Sequence, residues 1–249
     1  MCLSKRAGLV YVALAFCIGF LPGCASKRPA GDEAQPELEY IPIKKIAILP
    51  IQNPRVFTLD RSAISPLIFF GAMGIAVSSS IHESKKEGFR LKMQEYNVPL
   101  GIDLMQSLEQ GLNAEKYEVV VLREQDMGYA NPKDFDYGKI ITDADALAHI
   151  IITETGVSSS LRKPNYKPRL NVDVKIISSK DQTKIDDWTV EYGADASKLN
   201  DGSFPSDPKF AWSDYDVVMQ KIPEVIEGLQ QGAKLLGGHI AKTVRERKL

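Results

Sequence analysis

The chain has 249 residues, 44% of them hydrophobic and 25% charged, the balance of a globular protein rather than a disordered one. Its first 23 residues hold two bases, Lys5 and Arg6, and no acids, so the remainder carries 29 bases against 32 acids, a balance that does not predict nucleic-acid binding, which would want a basic stripe. Of the three cysteines, Cys2 and Cys17 fall within those 23 residues, and Cys24 alone cannot form an internal disulfide.

Lys5 and Arg6 precede an unbroken apolar run, Leu9–Phe20. Twelve residues are too few to span a bilayer, which needs about 20, but they suit the hydrophobic region of a secretory signal. The following Leu21-Pro22-Gly23-Cys24 resembles the cleavage and acylation motif of bacterial lipoproteins. Leu at −3 and Gly at −1 fit it, and Pro22 at −2 departs from the usual small or β-branched residue. The resemblance implies that residues 1–23 are removed and that Cys24 becomes a lipidated first residue, carrying diacylglycerol and an N-acyl chain. Ala25 after it, in place of Asp, implies an outer-membrane location facing the periplasm. No other cofactor is expected. Residues 24–42, rich in charge and in breakers (Pro29, Gly31, Pro36), read as a flexible tether to a single domain over 43–249.

Within that domain, Ile43–Ile51 is a β-branched run that predicts a buried first strand. Asn53–Ser65 reads as loop. Pro66–Ile81 can start a helix at Pro66. Phe69, Met73, Val77 and Ile81 then share a stripe, with Phe70 beside it. Such a helix could pack on the sheet or a neighbouring subunit, or enter the membrane surface near the anchor, and 66–96 is read as a helical insertion. Asn97 is a candidate cap for a helix striped by Leu100, Leu104, Leu108 and Leu112. Tyr117–Leu122 predicts a strand and Arg123–Ile141 mostly loop. Thr142 or Asp143 is expected to cap a short helical turn before the strand His149–Val157. Arg169–Ser178 and Ile185–Tyr192 alternate in period two and predict a hairpin with Trp188, Val190 and Tyr192 on one face. Asn200–Pro208 reads as loop. From about 212 to 247 the apolar spacing Val218, Ile222, Val225, Leu229, Ala233, Leu236, Ile240, Val244 is helical, with breaks expected at Pro223 and Gly237-Gly238. The order β-α-β-α-β-β-β-α predicts an α/β (α+β) domain, a mixed sheet of about five strands flanked by helices.

Catalytic signatures are missing from the sequence: no G-x-S-x-G, H-E-x-x-H, Walker loop or strand-borne G-x-G-x-x-G occurs. His82, His149 and His239 fall on three separate predicted elements, and no metal site is expected. Asp143 and Asp145 form a D-x-D, a pattern that binds metal in some transferases, but capping by Asp143 explains it better. Asp186 and Asp187 point to opposite faces of a strand and cannot act together. The basic end (Lys242, Arg245, Arg247, Lys248) suits a helix C-terminus. The residues expected to contact a partner or membrane are Phe69, Phe70, Met73, Val77, Ile81, Phe204 and Trp212.

The string IKKIAILPI after a tether, the Leu-striped helix, YEVVVL, DADALAHIIITETGV and the WTVEY hairpin resemble a group of envelope lipoproteins. Its members share the β-α-β sheet of the Tol-Pal translocation protein's N-terminal domain, among them the curli secretion channel subunit and the lipoprotein activators of penicillin-binding proteins. The resemblance covers about 43–192 and implies a non-catalytic protein that binds envelope or secretion machinery or its own copies. Asn53–Tyr96 lacks the alternating hairpins of the curli channel, so no self-made barrel is expected. A ring-forming conduit subunit is the alternative reading, and a cell-wall enzyme the third.

Overall fold

A computed structural model describes residues 42–61, 71–122, 135–159, 165–195 and 199–247, with the backbone alone described at 61 and 71–81. All of these lie in the unit Ile41–Leu249. Cys24, Phe69 and Phe70 fall outside the described residues.

The elements are β1 (Lys45–Ile48), β2 (Thr58–Arg61), α1 (Gly71–Glu95), α2 (Leu100–Ala114), β3 (Glu118–Val121), β4 (Ala146–Ser159), β5 (Lys167–Ser178), β6 (Lys184–Tyr192), β7 (Ser203–Phe204), α3 (Tyr215–Gln220) and α4 (Ile222–Glu246). They form the expected mixed sheet flanked by helices, in the order β3-β1-β4-β5-β6-β7, with β2 also on β4. Both β1 and β3 run parallel to each other, and β1 runs parallel to β4. The β4-β5-β6 meander is antiparallel.

One sheet face is apolar and is covered by the helices. Ile46, Ile48, Ala146, Ala148, Ile150, Leu170, Val172, Val174 and Ile176 line it, and the α2 stripe Leu100, Leu104, Leu108 and Leu112 meets them fully buried. Alternation along β5 is complete enough to set its register: the odd-numbered residues from Arg169 to Lys175 face away from the helices. On β4 the ladder with β5 slips between Ile152 and Glu154. The extra residue changes the parity, so that even positions (Ala148, Ile150) face the helices before the bulge and odd ones (Thr155, Val157) after it.

Five sequence expectations about the elements need correction. Ser203–Phe204, within the expected loop 200–208, pair with β6 as the strand β7. Residues 58–61 are a strand, not loop: β2 extends the row begun by β1, pairing with the far end of β4 (Leu59↔Val157). Asn97 does not cap α2. It takes a φ of 43° in the α1–α2 turn, and Pro99 stands at the N-cap without a side-chain hydrogen bond. No helical turn precedes β4, which begins at Ala146. Gly237-Gly238 does not interrupt α4, which is continuous to Glu246, and the only break among the described helical residues of this region falls at Lys221, just before Pro223.

The two long helices over the sheet run parallel and close together. Gln230 Nε2 donates to Asp103 Oδ2 at 2.9 Å, Ser107 Oγ to the Lys234 carbonyl at 2.6 Å, and Arg245 pairs with Glu115, so both chains advance in the same direction. Gly111 lies against Ala241, and Gly237 against the backbone of Leu104 and Leu108.

Gly156 is fixed by β2. Its φ is +148°, and a Cβ there would stand 2.0 Å from the Thr58 carbonyl oxygen. That conformation is essentially restricted to glycine, at a cost of about 1–3 kcal/mol for other residues. Gly156→Ala should therefore destabilise the protein by about 2 kcal/mol and detach β2 first. Amide exchange would show it: early loss of protection at the β2 amide that donates to β4 supports the pairing, and unchanged protection throughout β2 refutes it.

Candidate interaction surface

The predicted contact residues separate. Met73, Val77 and Ile81 lie on the backbone of α1, their side chains outside the description. Phe204, on β7, is half-buried: its ring meets His239 edge-on, with centroids 4.7 Å apart, and packs on the core margin. Trp212 is not a surface residue. It is 2% exposed, its backbone exchanges two hydrogen bonds with Tyr166, and its ring sits by Phe210 in the core. A tryptophan in a polar, proline-rich segment reads as a contact residue from sequence. Here the segment 206–213 folds back over the sheet and buries it.

The D-x-D pair has a different task from the one expected. Asp145 Oδ2 accepts the backbone N–H groups of both Lys44 and Lys45, at 2.8 and 2.9 Å. Asp143 takes the Lys45 ammonium at 2.8 Å, which Glu118 shares at 2.7 Å. Hydrogen bonding to Lys45 holds the Asp143 carboxyl below the usual carboxylate range. These groups tie together the beginnings of β1, β3 and β4, and the two aspartates line a shallow depression of about 280 Å³ with Ile43, Ser179, Lys180 and Ile185.

The three histidines stand on α1, β4 and α4, and among the described residues no three His, Cys, Asp or Glu side chains converge as a metal would require. His149 is the most altered of them. It is 6% exposed, under Phe135 and Tyr137, and the Tyr137 hydroxyl lies 2.9 Å from its Nδ1. Burial, with a smaller contribution from the Lys175 charge, lowers its pKa to about 4, and burial raises that of Tyr137. An imidazole neutral far below pH 7 and locked to a phenol that keeps its proton is a weak base for catalysis at neutral pH. Asp186 and Asp187 do diverge: Asp186 turns to the helix side and pairs with Arg247, and Asp187 pairs with Lys184.

Among the described residues, the face of the sheet away from the helices carries an apolar cluster near the start of β4, where Ala47, Leu147 and Ile177 are covered by Ala144, Tyr137 and Ile140, and Ile151 continues it by one position. Further along it is polar. Asn171 Nδ2 donates to Glu154, which Arg169 also approaches at 3.3 Å, and the Thr189 hydroxyl donates to Asp173. Cross-strand neighbours hold these side chains, although Asn171 Oδ1 is buried with no hydrogen-bond partner among the described residues.

No family model and no curated protein matches the chain. Solved structures of similar outline include protein XCC0632 from Xanthomonas campestris (11% identity, 82% of this chain and 87% of that one, TM-score 0.38). Lipoprotein GNA1162 from Neisseria meningitidis matches at 12% identity over 64% of this chain and 88% of its own, with a TM-score of 0.29. The PelC dodecamer from Paraburkholderia phytofirmans matches at 12% over 77% and 90%, also at 0.29. With TM-scores below 0.5, these likenesses carry no argument about this chain. No described helix is long and apolar enough to cross a membrane.

Proposed function

We propose that this chain is a lipid-anchored, non-catalytic protein of the bacterial envelope, held at the periplasmic face of the outer membrane through Cys24 and acting by binding envelope or secretion proteins. The observation that carries the reading is Leu21-Pro22-Gly23-Cys24 directly after the apolar run Leu9–Phe20. A single cysteine at that place has acylation as its simplest chemistry. The non-catalytic half draws support from the polar groups that sequence offers for chemistry. Asp143 and Asp145 are taken up by the β1 clamp, His149 is buried and neutral, and Asp186 and Asp187 diverge. The likeness to the Tol-Pal, curli and penicillin-binding-protein-activator lipoproteins rests on strand order and short apolar strings, and it points to partner binding rather than turnover.

Cys24→Ala tests the anchor. The variant should move from the membrane fraction to the soluble periplasmic fraction while unfolding like the wild type, and mass spectrometry of the wild type should show acylated Cys24 as the first residue. A variant that stays with membranes and a wild type without lipid would refute the reading. The mass of the detergent-extracted wild type decides between a partner-binding monomer and the ring-forming alternative.

A further inference from the structure

We propose that the sheet end carrying Ile43, Ile141 and Ile185 rests on the membrane surface that holds the lipid of Cys24. This inference rests on the acylation reading above and adds an orientation to it.

The register gathers these residues at one end. Lys45 pairs with Glu118, Ile46 with Ala146, Ala146 with Ser178, and Ile177 with Lys184, so β1, β3, β4 and β6 begin where β5 ends. Residues 42–44, the segment 140–145 and the turn 179–183 therefore share this end. The last turn of α4 joins them through the Arg247–Asp186 pair. Ile141 projects from the segment with 93% of its surface exposed, the most exposed large apolar side chain among the described residues. Ile185 is 39% exposed, and Ile43 lines the depression beside it. An isoleucine held this far out of its own domain loses contact with water only against something else.

The charges around it decide what that is. Lys45 is matched by Asp143 and Glu118, Lys139 by Asp136, Lys184 by Asp187, Arg245 by Glu115, and Arg247 by Asp186. Lys44, Lys116 and Lys180, set against Asp145 and Asp181, bring the described bases and acids of this end to equal number, so neither an acidic nor a basic partner surface is selected, and polybasic attraction to anionic lipid does not apply. Apolar insertion between headgroups needs no net charge. The connection supplies the proximity: Cys24 precedes Ile43 by 19 residues, and Ile43 stands at this end and not at the far one, where α2 begins. An acyl chain in the membrane thus has its shortest path to the domain through the Ile141 end.

Acylation blocks Cys24, so Ile141→Cys would offer a single thiol for an environment-sensitive fluorophore, and Ile102→Cys, 47% exposed near the opposite end of α2, gives the control. The acylated variants are reconstituted into vesicles of phosphatidylethanolamine and phosphatidylglycerol doped with nitroxide lipid. Quenching at position 141 is expected to exceed that at 102 several-fold, and to persist in pure phosphatidylcholine vesicles because the end is charge-matched. Equal quenching at the two positions overturns the inference, as does an unlabelled Ile141→Cys protein that is oxidised in the membrane to a disulfide-linked dimer by a mild thiol oxidant. The unsubstituted protein separates the two readings: if it takes up label, Cys24 is not acylated and the anchor itself fails. If it does not, equal quenching removes only the orientation.

Discussion

Gly237→Ala is expected to destabilise the protein by about 1–2 kcal/mol, while the same change at the adjacent Gly238 is expected to stabilise it by about 0.5–1 kcal/mol. Alanine exceeds glycine in helix propensity by about 1 kcal/mol, so both substitutions begin with the same local gain. Their surroundings differ. A Cβ on Gly237 would stand 2.7 Å from the Leu104 carbonyl oxygen, 2.8 Å from Ser107 Cβ and 2.9 Å from the Leu108 nitrogen. Two of these are backbone atoms of a helix whose own leucine stripe is fixed in the core, so they cannot swing aside, and α2 must lift from α4. A Cβ on Gly238 would find its nearest neighbour, Ser107 Oγ, at 3.9 Å, an ordinary contact. Urea unfolding of the two variants measures the difference directly. Shifts of the same sign would mean that the helices are not in this contact in solution.

Much of the fold was legible because its apolar residues keep strict periods. The α2 stripe and the α3–α4 series from Val218 to Val244 fall on core positions at about 3.6-residue spacing, and each of these side chains is at most 1% exposed. The β5–β6 hairpin was legible for the same reason in period two, with Val190 and Tyr192 buried on the helix side and Trp188 packed against it. Gly237-Gly238 illustrates the limit of such reading. A glycine pair weakens a helix considered alone, and only the position of a second helix reveals that Gly237 permits close approach. β2 escaped because Thr58–Arg61 has neither apolar run nor alternation beyond Leu59. It is a strand because Gly156 leaves room for it on β4.

The candidate surface was less legible, since exposure is set by what a segment folds against. Phe204 and Trp212 sit in segments of similar polarity, yet one lies at the core margin and the other within it. Ile141 carries no signal that distinguishes it from the neighbouring Ile140. The structure does: Ile140 turns under the sheet with Tyr137, and Ile141 turns out. Asp143 and Asp145 stand where a helix cap would stand, and short polar side chains satisfy strand-start N–H groups as well as helix-start ones. Only the distance to Lys44 and Lys45 tells which.

Acid should loosen the same end of the molecule, and the sign follows from His149. Its folded pKa of about 4 lies below the ordinary 6.5, so the unfolded chain binds a proton that the folded one refuses between those values. The stabilisation from keeping the imidazole neutral is complete above pH 6.5 and is lost progressively as the pH falls toward 4. A shift of this size corresponds to about 3 kcal/mol at its limit. His239, also lowered by burial, acts in the same direction, so the comparison is with His149→Leu and not with a single profile. The carboxyls held low by their partners, Asp143, Asp181, Asp214 and Glu224 among them, lose stabilisation only below their ordinary values, leaving pH 5–6.5 to the histidines. The denaturation midpoint of the wild type should therefore fall from pH 7 to pH 5, and that of His149→Leu should fall by clearly less. Before global unfolding, the cost of a charged imidazole beside Lys175 is relieved by opening Phe135 and Tyr137, which cover it. Limited proteolysis near 135–145 should consequently quicken at pH 5 in the wild type and not in the leucine variant. Equal pH profiles for the two proteins would show that His149 is reached by water in the folded state.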